Sequence, residues 1–165
     1  MTQRRLLLAL PLAATLSACG FQLRRAPDFA FNSIFIGTAD NSTLGNELKR
    51  SISFSDAVRV VPAAQIATAQ VLLDVLQEQR EKVVVGLNAS GQVREFQLRI
   101  RFQFKLRGRD GKELIAPTEI LQQRDISFSE SAVLAKEAEE ALLYRDMQTD
   151  IVQQLMRRLA AVKSL

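Results

Sequence analysis

Only a few residues in this 165-residue chain have the type and setting for chemistry, and the first is its single cysteine. Cys19 follows Leu16-Ser17-Ala18, and ahead of that lie a basic start at Arg4 and Arg5 and an apolar run over residues 6–16. Such a run is too short to cross a hydrocarbon core, which takes about 20 residues of helix, and it has the layout of a secretory signal. A branched residue and two small ones before a cysteine resemble a bacterial lipobox, where the thiol is acylated and the leader removed. Residues 1–18 therefore read as a lipoprotein signal peptide and Cys19 as the lipidated first residue of the mature chain. Two or more acyl chains anchor a protein stably where one does not, so the chain is expected to sit on a membrane without crossing it. By resemblance to the bacterial lipoprotein sorting pattern, Gly20 in place of an aspartate favours the outer membrane of a Gram-negative bacterium over retention at the inner one.

The remaining chemistry is limited by what is missing. There is no histidine, so a histidine-based triad and a Cys/His zinc site are excluded, and a lone cysteine excludes an internal disulfide. Carboxylates can act as acid and base without histidine, and Glu137, Glu139, Glu140, Asp146 and Asp150 crowd one segment. Adjacent Glu139 and Glu140 point about 100° apart on a helix, and Asp146 with Asp150 reads as a solvated face. No glycine-rich phosphate loop occurs. The chain thus reads as no enzyme, with no cofactor or metal. The formal charge of +4 falls when the leader takes Arg4 and Arg5 with it, and export removes nucleic acid as a partner.

Basic side chains are the other candidates, and the elements that carry them can be read from periodicity. Residues 96–107 alternate without a fault: Phe96, Leu98, Ile100, Phe102, Phe104 and Leu106 on one side, polar or basic residues on the other. A period of two means a half-buried strand. Residues 71–85 precede it and Asn88-Ala89-Ser90-Gly91 supplies a turn, so the two pair as a hairpin. Gly108-Arg109-Asp110-Gly111 turns into a third strand over 114–128, where Pro117 requires an edge or a bulge.

Earlier, residues 33–36 form a short strand, and Leu44, Leu48 and Ile52 line one face of a helix that ends near Ser53, with Asn41, Ser42 or Thr43 as N-cap. Residues 58–61 are a candidate short strand ended by Pro62, and 63–70 are ambiguous. After Phe128 the period becomes helical: Leu134, Ala138, Ala141, Tyr144, Met147, Ile151, Leu155, Leu159 and Val162 form one stripe over about 30 residues, with Ser129 as the expected N-cap. The expectation is a tether over 19–30 and a single α+β domain over 31–165. This domain is a two-layer sandwich: a mostly antiparallel sheet of about four strands with two helices packed on one face.

The uncovered sheet face then carries Arg99, Arg101, Lys105 and Arg107 in a row. That row is either a solvated face that discourages aggregation or a contact surface for a polar partner or an anionic ligand. The meander also returns the hairpin tip to the end of the sheet where the long helix starts, which gathers Lys82, Arg94, Arg124 and Lys136. Four cations in one region suit the phosphates of a lipid head.

Cys19-Gly20-Phe21-Gln22-Leu23-Arg24, Gly91-Gln92 with Glu95-Phe96-Gln97-Leu98, and Leu134-Ala135-Lys136 with Glu139 together resemble the LptE family of lipopolysaccharide-assembly lipoproteins, over essentially all of the mature chain. The resemblance implies a non-enzymatic outer-membrane lipoprotein that plugs the lumen of the LptD β-barrel, assists its assembly and binds lipopolysaccharide. A charged, glutamine-rich strand face suits a water-filled lumen. The family's basic residues lie at the hairpin tip and at the start of the last helix, and Lys136 matches the second position. At the tip residues 87–91 hold no basic residue, which leaves Arg94 and Lys82 as the candidates there. The other reading is an outer-membrane lipoprotein of similar fold that acts as an adaptor in another envelope complex.

Overall fold

The alternation over residues 96–107 sets the architecture. In the computed structural model, which describes residues 28–55 and 57–165, the apolar members Leu98, Ile100, Phe102, Phe104 and Leu106 are all buried. The long strand that carries them forms the centre of a core closed by two helices. In chain order the elements are β1 (Ser33–Gly37), α1 (Thr43–Ser53), β2 (Arg59–Val61), a 3-10 turn (Ala63–Thr68), β3 (Val71–Leu87), β4 (Val93–Gly108), β5 (Glu113–Ser127), a second 3-10 turn (Glu130–Ala132) and α2 (Val133–Ala160). The expected leader over 1–18, the expected lipidation site Cys19 and the expected tether as far as residue 27 lie outside the described residues.

The sheet has five strands in the order β2-β1-β3-β4-β5, one more than expected, because residues 59–61 join it. β1 runs parallel to both β2 and β3, whereas β3, β4 and β5 form the antiparallel meander. Pro117 sits in the outermost strand, next to a register shift between Phe104 and Leu106, and so meets both conditions for a proline in a sheet. The ambiguous stretch before β3 is the first 3-10 turn. Ser33 Oγ donates to the Thr68 carbonyl at 3.4 Å, which places that turn on the side of β1 opposite the buried Ile34 and Ile36.

Helix α1 starts where Ser42 Oγ accepts from the Gly45 amide at 2.7 Å, one of the free donors of a first turn. It buries Leu44, Leu48 and Ile52, as their spacing requires. Helix α2 has 28 residues and packs through Met147, Ile151, Val152, Leu155, Met156 and Leu159. Two expectations for it are corrected. Ser129 precedes the second 3-10 turn instead of capping α2, whose N-cap position is Ala132 with no side-chain bond. The apolar stripe is buried only in its later part: Leu134 is 82% exposed, and Ala138 and Ala141 are exposed too.

A bulge explains the second correction. The β3–β4 register shifts between Val75 and Gln77, and an inserted residue reverses which side chains face the helices. Before the bulge Leu73 lies opposite Leu106; after it Glu78, Arg80 and Lys82 lie opposite Phe102, Ile100 and Leu98. The first turns of α2 therefore meet polar side chains of β3 and have no apolar floor to cover. Pairing with β1 stops at Asp74, so beyond that point β3 has no sheet neighbour on its other flank among the described residues.

Candidate functional site

Two regions hold the candidate side chains. On the helix-free face the register puts Arg99, Arg101, Lys105 and Arg107 in one row, as their alternation requires. The same register supplies acids. Arg107 Nε donates to Asp74 Oδ2 at 2.7 Å, and Lys105 Nζ lies 4.0 Å from the same atom. Arg101 lies 3.4 Å from Glu119 and 3.9 Å from Glu81. Arg99 bonds Gln97 at 2.7 Å, and Gln97 in turn donates to Asp125 at 2.9 Å. The bond to Asp74 raises the Arg107 pKa above its ordinary value, with burial opposing and the carboxylate charge adding to the effect. The face is thus a ladder of cross-strand charge pairs in which Arg99 has only a neutral partner among the described residues. It offers hydrogen bonds of both signs over its whole length.

The second region lies at the end of the sheet reached by the hairpin tip. Asn88 Oδ1 accepts from the amides of Ser90 and Gln92, and Gly91 adopts a φ of 77°, a value that favours glycine, so this uncharged tip is a closed turn. Behind it Phe96 and Phe128 stack edge to face with centroids 5.4 Å apart. Lys82 Nζ lies 4.4 Å above the Phe96 ring and donates to Glu140 at 2.6 Å. Lys136 Nζ donates to Ser127 Oγ at 2.9 Å and to Glu139 at 2.8 Å. The two lysines line one small cavity of about 60 Å³ together with Phe96, Phe128 and Val133. Glu137 and Glu140 line it as well, so this is an apolar recess whose two ammonium groups are each already paired with a carboxylate.

The other two candidates stand apart from that recess. Arg94 is exposed beside Gln92, Ser129 and Glu130, and its carbonyl accepts from the Phe128 amide at 2.7 Å. Arg124 shares a rung with Leu98 and Lys82 on the helix side, but its guanidinium is committed to Asp150 at 2.8 Å and to the Gln123 carbonyl. Sequence reading passed over Arg80. Its inward position depends on the bulge, and its partners, Thr43 and Gln148, belong to the two helices. Among the described residues no group of three or more acidic, cysteine or histidine side chains is placed to hold a metal ion, and no helix is long and apolar enough to cross a membrane.

This fold has relatives. The solution structure of an uncharacterized lipoprotein B from Nitrosomonas europaea is 36% identical, with a TM-score of 0.73 over 86% of this chain and 91% of that one. The rare lipoprotein B of Shewanella oneidensis, at 22% identity, and a minor lipoprotein of Acinetobacter baumannii, at 16%, share the fold. Their TM-scores are 0.64 and 0.63, over 79% and 81% of this chain and 95% and 94% of theirs. Among curated proteins there is no match. Residues 31–159 match the family model described as LptE, lipopolysaccharide-assembly, and the chain therefore belongs to the LptE family.

Proposed function

We propose that this chain is a lipid-anchored plug of the LptD β-barrel, which assists assembly of that barrel and binds lipopolysaccharide on its way to the outer leaflet. In this reading residues 1–18 are removed, acylated Cys19 holds the protein to the outer membrane, and residues 31–165 occupy the lumen. The observation that carries it is the cross-strand charge ladder on the helix-free face. A porin-like lumen is polar and wet, and a face built from Arg101–Glu119 and Arg107–Asp74 pairs can exchange partners with lumen side chains without burying an unpaired charge. Lys82 and Lys136 around Phe96 and Phe128 suit the junction between phosphate and acyl chain in an amphiphile.

Photocrosslinkers placed at Arg99, Arg101 and Lys105, followed by purification with lipid intact, test the assignment. Adducts to a barrel of much larger mass are expected. A chain that purifies free of any barrel, or adducts only to another envelope complex, would instead favour the adaptor reading.

A further inference from the structure

A second cleft runs from Lys82 between the start of α1, the post-bulge part of β3 and the first half of α2. Its volume is about 670 Å³, and Arg80, Arg145, Tyr144, Thr43, Gln148 and Glu137 are among its walls. That volume falls within the range of sites for small molecules, roughly 300–1,000 Å³, and far exceeds what a single ion needs.

Arg80 is held here in an unusual way. Its Nη2 donates to Thr43 Oγ1 at 2.8 Å and to Gln148 Oε1 at 2.7 Å, and its guanidinium carbon lies 5.6 Å from the centre of the Tyr144 ring. Each support is itself fixed. Gln148 is buried and donates to Glu47 at 2.6 Å, and the Tyr144 hydroxyl donates to the Glu81 carbonyl at 2.7 Å. These bonds use only Nη2, so the N–H groups of Nη1 and Nε have no acceptor among the described residues, and Arg80 has no carboxylate partner. Arg145 lines the same cleft, and its side chain has no ion pair or hydrogen bond among the described residues. Lys82 and Glu140, also in the wall, neutralise one another at 2.6 Å. Two uncompensated guanidinium groups therefore face one Glu137.

We propose that this cleft is a binding site for a phosphorylated sugar. The remaining N–H groups of Arg80 and the Arg145 guanidinium take the phosphate as charge-assisted donors. Thr43, Gln148 and Glu137 hydrogen-bond the sugar hydroxyls beside the Tyr144 ring. The site adjoins the Lys82–Lys136 recess, with which it shares Lys82, Glu137 and Glu140, and it rests on the function proposed above only for the source of its ligand: a glycolipid headgroup or a free sugar phosphate has the same chemistry.

Tyr144 is the one tyrosine of a chain without tryptophan, so its emission reports on the cleft. The purified chain, titrated with glucosamine 1-phosphate at low salt, should show a saturable change that glucosamine alone does not produce. Arg145→Gln removes no bond present in the fold and should weaken this binding by about ten-fold, the scale of one charged hydrogen bond; Arg80→Gln should do the same or more, and Glu137→Gln should tighten it. No saturable change, an equal response to glucosamine, or an unaltered Arg145→Gln titration would overturn the site. Displacement of the sugar phosphate by lipopolysaccharide assigns the site to a lipid headgroup, and lack of displacement assigns it to a free sugar phosphate. If lipopolysaccharide fails to bind anywhere while glucosamine 1-phosphate still binds, the plug reading loses its ligand and this site stands. Lipopolysaccharide binding without any response to the sugar phosphate does the reverse.

Discussion

Lys82 and Arg124 flank Leu98 on a single rung of the sheet and grip the same helix at different heights, Lys82 through Glu140 and Arg124 through Asp150. Ten residues of helix span about 15 Å, and the two strands stand about 10 Å apart, so α2 must cross the strands obliquely. The grip orients the helix more than it stabilises it. Both pairs are partly exposed, and such pairs contribute up to about 1 kcal/mol. Arg124→Gln should lower the urea midpoint only slightly, and the difference should vanish in high salt. A large, salt-insensitive loss would mean that Arg124 supports packing and not merely charge.

The two halves of the apolar pattern should respond in opposite ways to the same substitution. Phe102→Asp places an unpaired carboxylate at a fully buried position, a change on the order of 3 kcal/mol or more, and should abolish a cooperative thermal transition. Leu134→Asp, at a position 82% exposed, should melt within a few degrees of the parent. A cooperative melt for the first variant would invert the assigned faces of β4.

On the function proposed above, Lys136→Gln should weaken lipopolysaccharide binding several-fold at low salt, because it removes one charge from the recess while its amide can still reach Ser127. Barrel association should be unchanged, since the open face is untouched. Affinity measured by surface plasmon resonance for both partners separates the effects, and equal lipopolysaccharide affinity for parent and variant would remove Lys136 from the site.

Tyr144 should titrate late. Burial, and then the charge of Glu140, raise its pKa above the usual value, with Arg80 opposing and Glu81 adding. Between the unfolded value of about 10 and the higher folded value, the unfolded chain has released the proton and the folded chain keeps it. The stability this supplies is therefore complete below about pH 10 and is lost as pH rises through the folded value. Phenolate absorbance should show a midpoint above about 10 that drops to it in urea, and Tyr144→Phe should lose the alkaline dependence. A midpoint equal in both states would contradict the packing around the ring.

What could be read from the sequence was local. The strand over 96–107 and the face of α1 each repeat a period that one element enforces alone, and both are present as read. The fifth strand was less legible, because three residues at 59–61 acquire their place only by pairing with β1 across an intervening helix. The limits of the α2 stripe and the role of Arg80 depend on the bulge at 75–77, where one extra residue breaks parity with no glycine or proline to mark it. The charge ladder was half legible: the cations alternate along one strand, whereas Asp74, Glu81 and Glu119 come from its two neighbours and meet them only through register.

The short reach of β1 has a bearing on how the isolated protein behaves in solution. Past Asp74, β3 has no strand partner on one flank among the described residues, beside exposed Val83, Val84, Val85 and Leu87. Such a border recruits strands from other copies. At one place the Tyr144 hydroxyl already occupies it, by taking the Glu81 carbonyl. Tyr144→Phe frees that carbonyl, and the variant is expected to be less soluble than the parent chain.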